Sequence, residues 1–424
     1  MNVSRNTVDN AYSQLAAEGY IIPKRGIGYA VAGLPKLKPG RATKCVTAVK
    51  PVSAKTDGVI YDLTNSSHTR DLFPKTLWRR YMLDCLEQSE YETAENSLQD
   101  MQGERKLRRS LLNYLERIRG ICCGEGQIII TCGIQQSLAY ICSILPKDQT
   151  NVYMEEPGYN KAAAVFLNHG MQLKPVPLDE NGIMTTALPS GMAGGVVYTT
   201  PSHQFPTGVT MPVGRRYELL EWAKNHDSYI IEDDYDSELR YYAKPIPALQ
   251  SIDTDDRVIY LGTFSKALSP SMRMGYMILP PVLMKAYLDK YRDYNSTVPR
   301  LNQYVIARLI ETGQYDRHVR RMNHIFRKRL ERFLEEFADV KDKIRISDNG
   351  SGQYFLLEFL VRANQNELIE AALKCGVRVY PTMQFWQSKA DCPPNTLFLG
   401  FSKIDLEDIS DCVKRLKTAW KKWF

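Results

Sequence analysis

Lys266 follows a short apolar run, Arg257 to Leu261, that ends in Gly262, Thr263 and Ser265, and Arg273 stands seven residues further on. A lysine at the end of a buried strand can form a Schiff base with an aldehyde, and a hydroxyl and a guanidinium beside it can hold that aldehyde's phosphate. Pyridoxal 5'-phosphate (PLP) needs both. It also needs a carboxylate against its ring nitrogen, because the ion pair keeps that nitrogen protonated and the ring electron-accepting. The stretch Glu232-Asp-Asp-Tyr-Asp-Ser-Glu238 offers one, and Tyr235 is placed to bond the ring's phenolic oxygen. Spacing alone does not choose among Asp233, Asp234 and Asp236, and an acidic surface loop would read the same way.

Other loops add to the set. The apolar run Gln127–Thr131 leads into Cys132-Gly-Ile-Gln-Gln-Ser137. Gly133 permits a turn, and the amides of Ile134 and Gln135 would face a phosphate at a helix N-terminus. An ordinary strand-to-helix turn has the same look. Glu155-Glu-Pro-Gly-Tyr159 offers a ring that could stack on the cofactor, although a packed loop tyrosine is the plainer reading of Tyr159 alone. His203, in Pro201-Ser-His-Gln-Phe-Pro-Thr-Gly208, reads equally as a loop histidine.

The elements that must position these residues alternate. Strands are expected at Gln127–Thr131, Val152–Met154, Gly195–Thr200, Tyr229–Asp233, Arg257–Gly262 and Gly275–Leu279, with helices such as Gln135–Leu145 and Gly214–Asn225 between them. That order argues for an α/β fold with a mostly parallel, two-sided sheet. Every chemical motif then falls at the C-terminal end of a strand, where open α/β sheets bind ligands. Residues 311–424, with residues near 58–90, are expected to form a smaller α+β domain that includes helices at Gln365–Cys375 and Leu406–Trp420.

With 424 residues, 44% hydrophobic and 24% charged, the chain has a globular composition and room for more than one core. No apolar run is long enough to span a membrane, and no leader opens the chain. Nine cysteines without a Cys-x-x-Cys pair or a Cys/His cluster argue against zinc and fit reduced thiols in the cytoplasm. The net charge is +7, and residues 1–57 hold nine Lys/Arg against three acids. That asymmetry fits a nucleic-acid-facing end on a neutral body, or a solvated basic tail.

Residues 1–33 read as ordered. Ser4 caps a helix running to about Glu18, with Val8, Ala11, Tyr12 and Leu15 as its apolar stripe. A hairpin follows, Tyr20–Pro23 and Tyr29–Ala32, with Lys24 and Arg25 at its tip. This is the back half of a winged helix, and it resembles the recognition helix and exit of GntR-type DNA-binding domains. The resemblance implies that Ser4, Arg5, Asn6 and Thr7 face the major groove while Lys24 and Arg25 touch phosphates. No helices precede it after Met1, so the stripe is expected to lack cover within this partial module. Residues 34–57, rich in Pro, Lys, Thr and Ala, read as a basic linker.

Residues 58–424 resemble the fold-type I PLP-dependent aminotransferases, most specifically in Thr200–Gly208, Glu232–Glu238 and Gly262–Lys266. Together with the N-terminal part they resemble MocR/GabR-type regulators, in which a GntR-type domain is fused to an aminotransferase-like domain. The resemblance implies that Lys266 bonds PLP, Asp233 pairs the ring nitrogen and Tyr235 the phenolic oxygen. Thr263, Arg273 and the Ile134 and Gln135 amides would hold the phosphate, and Tyr159 would stack on the ring. It also implies a homodimer that senses a small amino compound through an external aldimine and acts on DNA. The competing expectation is an aminotransferase acting on an amino acid, with Lys266 as general base and an inert N-terminal remnant. A decarboxylase or β-eliminase would share the same lysine and carboxylate. Two departures bear on transamination. Phe205 stands where many aminotransferases have an asparagine. Phe398, in Asn395-Thr-Leu-Phe-Leu-Gly-Phe401, stands where many have a carboxylate-binding arginine, and Arg378 is the candidate substitute.

Overall fold

In the computed structural model, residues 4–33, 58–64, 72–87, 100–191, 194–242, 246–348 and 350–424 are described. The expected linker, 34–57, lies outside the described residues. The chain divides into two units, Met1–Asp57 and Gly58–Phe424.

In the first unit, Ser4 caps the helix Arg5–Ala17 by accepting from the Thr7 amide. Strands β1 (Ile21–Lys24) and β2 (Gly28–Val31) pair antiparallel, Lys24 opposite Gly28. The helix contains no buried residue. Val8, Tyr12 and Leu15 are exposed, and Tyr12 meets only the hairpin's Tyr29, at 5.1 Å between rings, among the ring contacts of the described residues.

The second unit begins with β3 (Tyr61–Asp62). Its large sheet contains β4 (Ile128–Thr131), β5 (Asn151–Glu156), β6 (Gln172–Asp179), β7 (Gly182–Ile183), β8 (Val196–Thr199), β9 (Tyr229–Asp234), β10 (Val258–Thr263) and β11 (Gly275–Ile278). Their order is β4-β11-β10-β9-β8-β5-β6-β7. β6, β5, β8, β9 and β10 are mutually parallel, and β11 runs antiparallel to both β10 and β4. β4 therefore points the same way as β10. The central runs Val-Val-Tyr-Thr and Tyr-Ile-Ile-Glu-Asp-Asp are buried throughout, as strands covered on both faces must be. β6 was not anticipated. It carries Pro175 and Pro177 and lies near the sheet's edge, where missing amide donors are tolerated.

The smaller domain is a four-stranded antiparallel sheet, ordered β12 (Ile344–Ser347), β13 (Tyr354–Phe359), β16 (Thr396–Gly400) and β15 (Tyr380–Pro381). Beside it β14 (Val377–Arg378) pairs with β3, which ties residues just after 58 to the C-terminal part. The helix Lys75–Leu86 goes instead to the large domain, where Tyr81 and Cys85 join the core around β4 and β10. The 23-residue helix Gln314–Glu336 joins the two domains. Tyr315 and Val319 pack into the large-domain core, and Met322, Phe326, Leu330 and Phe333 into the small-domain core.

Candidate active site

Because β4, β8, β9 and β10 run the same way, their C-terminal residues share one edge of the sheet. A cavity of about 460 Å³ opens there. Ile134, Gln135, Tyr159, Asp233, Tyr235, Thr263, Lys266 and Arg273, which the sequence singles out in separate loops, all line it.

Asp233 ends the buried strand β9. Its Oδ2 accepts from the Tyr198 hydroxyl at 2.5 Å, and its Oδ1 is buried with no hydrogen-bond partner among the described residues. Burial pushes its pKa up to about 7, against the Tyr198 bond and together with the Asp234 and Asp236 charges. The other two aspartates are engaged elsewhere. Asp234 meets Arg119 Nε at 2.8 Å in a buried ion pair and also accepts from Ser237 and Tyr260. Asp236 Oδ2 lies 2.9 Å from His203 Nδ1. The choice that spacing left open thus falls to Asp233, the one of the three that lines the cavity.

Tyr235 turns its hydroxyl to within 3.1 Å of both His203 Nδ1 and the Tyr354 hydroxyl. His203, read from sequence as a loop histidine, is buried and stacks on Tyr354 at 5.4 Å. It can sit so close only because residue 352 is glycine: a Cβ there would lie 2.4 Å from His203 Cε1. Lys266 follows β10, and burial brings its ammonium pKa down to about 8. Asp236 and Asp233 oppose that shift, and Lys161 reinforces it.

Helix Ile134–Ile144 starts at Gly133, whose φ of +114° no other residue type adopts readily. A Cβ there would come within 3.3 Å of Arg273 Nη2, so the guanidinium lies against the helix N-terminus. Two positive features converge where Thr263 also stands. Tyr159 packs edge-on against Phe205, with rings 5.5 Å apart.

Several contributors left no sequence signal. Glu155 is buried and accepts from Thr199, Thr200 and Gln204, joining the Tyr159 loop to the 200–208 loop. Burial raises its pKa, against the bonds from Thr199, Thr200 and Gln204. Tyr380, Gln384 and Phe385 come from the small domain. Phe398 lines the cavity too, whereas Arg378 does not and lies 3.9 Å from Asp62. Ser4, Arg5, Asn6, Thr7, Lys24 and Arg25 are all exposed in the first unit, the Ser4 and Thr7 hydroxyls bonded to each other at 2.9 Å.

These residues fit PLP. The orphaned Asp233 Oδ1 suits a protonated ring nitrogen, and the Gly133–Arg273 cradle suits a phosphate. The fold and cavity are those of an aminotransferase-type PLP domain, and the family model "Aminotransferase class I and II" matches residues 78–390. The kynurenine aminotransferase of Pyrococcus horikoshii superposes with a TM-score of 0.76 at 28% identity, over 86% of this chain and 91% of that one. HTH-type transcriptional regulator YhdI of Bacillus subtilis is 36% identical over 421 residues, 99% of this chain and 88% of the relative. The probable rhizopine catabolism regulatory protein MocR of Rhizobium meliloti is 31% identical over 99% of this chain and 87% of its own length. The chain belongs to the aminotransferase class I and II family and, within it, to the MocR/GabR-type PLP-dependent transcriptional regulators. Its cofactor is pyridoxal 5'-phosphate. Among the described residues no helix is long and apolar enough to cross a membrane.

Proposed function

We propose that the cavity is the sensor of this regulator: an amino compound enters it and competes with Lys266 for the cofactor. The observation that carries this reading is the meeting of Lys266, Asp233, Tyr235 and the Gly133–Arg273 cradle in one cavity. Bound PLP supplies an aldehyde that condenses with amines and a ring that withdraws electrons. Lys266, with its ammonium pKa near 8, loses its proton far more readily than an ordinary lysine. Asp233 would hold the ring nitrogen, Tyr235 would bond the phenolic oxygen, and Thr263, Arg273 and the Ile134 and Gln135 amides would hold the phosphate, with Tyr159 available to cover the ring.

Small-domain residues line the same cavity, so occupancy biases how the two domains close, provided the ligand binds the closures unequally. The exposed first-unit residues Arg5, Asn6, Lys24 and Arg25, with Ser4 and Thr7, are the proposed DNA contacts, presented by a homodimer. Amino-group transfer is the second reading. The overlay on an aminotransferase favours it, while Phe398 in the carboxylate-binding place weighs against it.

The test uses the full chain loaded with PLP. An amine panel should shift the visible absorbance and change retardation of DNA from upstream of the protein's own gene, without release of a keto acid. Lys266→Ala should lose the lysine-bound chromophore. An unchanged chromophore in that variant would refute the reading, and stoichiometric keto-acid release would favour the enzyme.

A further inference from the structure

The cavity lining has two unlike parts. Gly133, Ile134, Gln135, Thr263 and Arg273 come from the large domain and present amides, a hydroxyl and a guanidinium. Another part of the lining is a phenylalanine cluster: Phe398 from the middle of β16, Phe385 from the turn after β15, and Phe205 from the loop after β8. All three are buried among protein atoms and still line the cavity.

The rings hold one another. Phe205 and Phe385 meet at 4.9 Å and 84°, and Phe385 and Phe398 at 5.3 Å and 60°. Phe398 also stacks on Tyr354 at 4.6 Å, and the Tyr354 hydroxyl is the partner of Tyr235. Edge-to-face contacts of this kind fix ring positions. Swinging one ring aside to admit water would undo several contacts, so the wall stays apolar.

Among the polar lining residues near the rings, the Gln384 amide donates to the Pro381 carbonyl at 3.1 Å. The Tyr380 hydroxyl donates to Asp62 at 2.7 Å. Among the described lining residues the cations are Arg273, against Gly133, Lys266, the reacting amine, and the exposed Lys161. A charged side group pressed on the phenylalanine wall would lose its water and gain no partner there. An apolar group would lose nothing.

We infer that the amino compound recognised here carries an apolar side group, aromatic or branched aliphatic, seated against Phe205, Phe385 and Phe398. This rests on the reading that the cavity takes an amino compound at Lys266, and it adds the chemical class. An α-carboxylate, where present, goes toward Lys161 and is not the discriminating feature.

The experiment titrates the PLP-loaded full chain, read by visible absorbance, with phenethylamine, L-phenylalanine and L-leucine against L-glutamate and L-aspartate. The best apolar amine should half-saturate at a concentration at least about tenfold below the best acidic one, the size of discrimination an apolar pocket achieves. Phe398→Arg should narrow or reverse that order. Phe385→Leu, which keeps an apolar wall but removes a ring, should weaken the phenyl compounds more than L-leucine and serves where the arginine variant fails to fold. An acidic amine that binds more tightly than every apolar one overturns the inference, as does an equal response to both classes or a loaded protein that answers none. A chain that takes up no PLP, or a Lys266→Ala variant with an unaltered chromophore, strikes at the sensor reading itself, so the two failures are told apart.

Discussion

Replacing Asp233 by asparagine should move two quantities in opposite directions. In the ligand-free chain burial raises the Asp233 carboxyl from its ordinary 3.8 to about 7, so at pH 8 it is held ionised in a site that disfavours charge. That displacement corresponds to roughly 4 kcal/mol. The sign follows from linkage. A carboxyl whose folded pKa lies above its unfolded pKa contributes most to stability below about pH 4, and the contribution is lost as pH rises through about 7. Asparagine is neutral at every pH and still accepts from Tyr198, whose hydroxyl is the only side-chain partner of Asp233 among the described residues. Ligand-free Asp233→Asn should therefore be more stable than the parent at pH 8, by up to about 4 kcal/mol, and the advantage should shrink to about 2 kcal/mol at pH 5. Cofactor affinity should fall, because a charge-assisted bond to the ring nitrogen contributes roughly 1.5–3 kcal/mol, or about 10- to 150-fold. Urea unfolding of the ligand-free proteins at both pH values reads the first quantity, and a fluorescence titration with PLP reads the second. A variant less stable than the parent at pH 8, or one whose PLP affinity stays within about twofold, would refute this account of the carboxylate.

Other substitutions separate scaffold from site. Asp234→Ala strands Arg119 in the core, where the pair's side chains are 2% and 0% exposed, and should cost about 3–5 kcal/mol in urea unfolding; a loss below about 1 kcal/mol would show that Arg119 finds other partners. Arg273→Ala should weaken PLP by roughly tenfold or more while leaving phosphate-free pyridoxal nearly unchanged; equilibrium dialysis with both vitamers checks this, and equal losses would remove Arg273 from the phosphate. The rate of covalent PLP uptake should rise with pH as Lys266 loses its proton, with a midpoint near 8 rather than at the ordinary lysine value near 10.4. Stopped-flow absorbance measures it, and a midpoint near 10 would place Lys266 in a solvated setting.

Much of this protein was legible in the chain itself. Alternating apolar runs and helical stripes placed β4, β5, β8, β9, β10 and β11 within a residue or two of their observed bounds, because a strand buried on both faces needs a continuous apolar run. The lysine, the acidic stretch and the glycine turn were legible because each stands just past such a run. β6 was missed because its two prolines argue against a strand until its place near the edge is known. The small-domain strands β13 and β16 were missed as well. Their apolar stretches mix both faces, and their pairing joins residues some forty positions apart.

Residue spacing left open which of three neighbouring aspartates faces the cavity; family resemblance pointed to Asp233, and the tertiary structure supplies the physical reason. Consecutive residues at the end of β9 point to different surroundings, so Asp234 meets Arg119, Asp236 meets His203 and Asp233 is left with a bare oxygen. It also brought Phe385 and Phe398 from the far end of the chain to Phe205, an apolar wall that no local pattern announces. Local sequence encodes what a residue can do chemically and how its own segment folds. Which groups share a cavity, and which charges are left unpaired in it, depends on contacts between segments hundreds of residues apart.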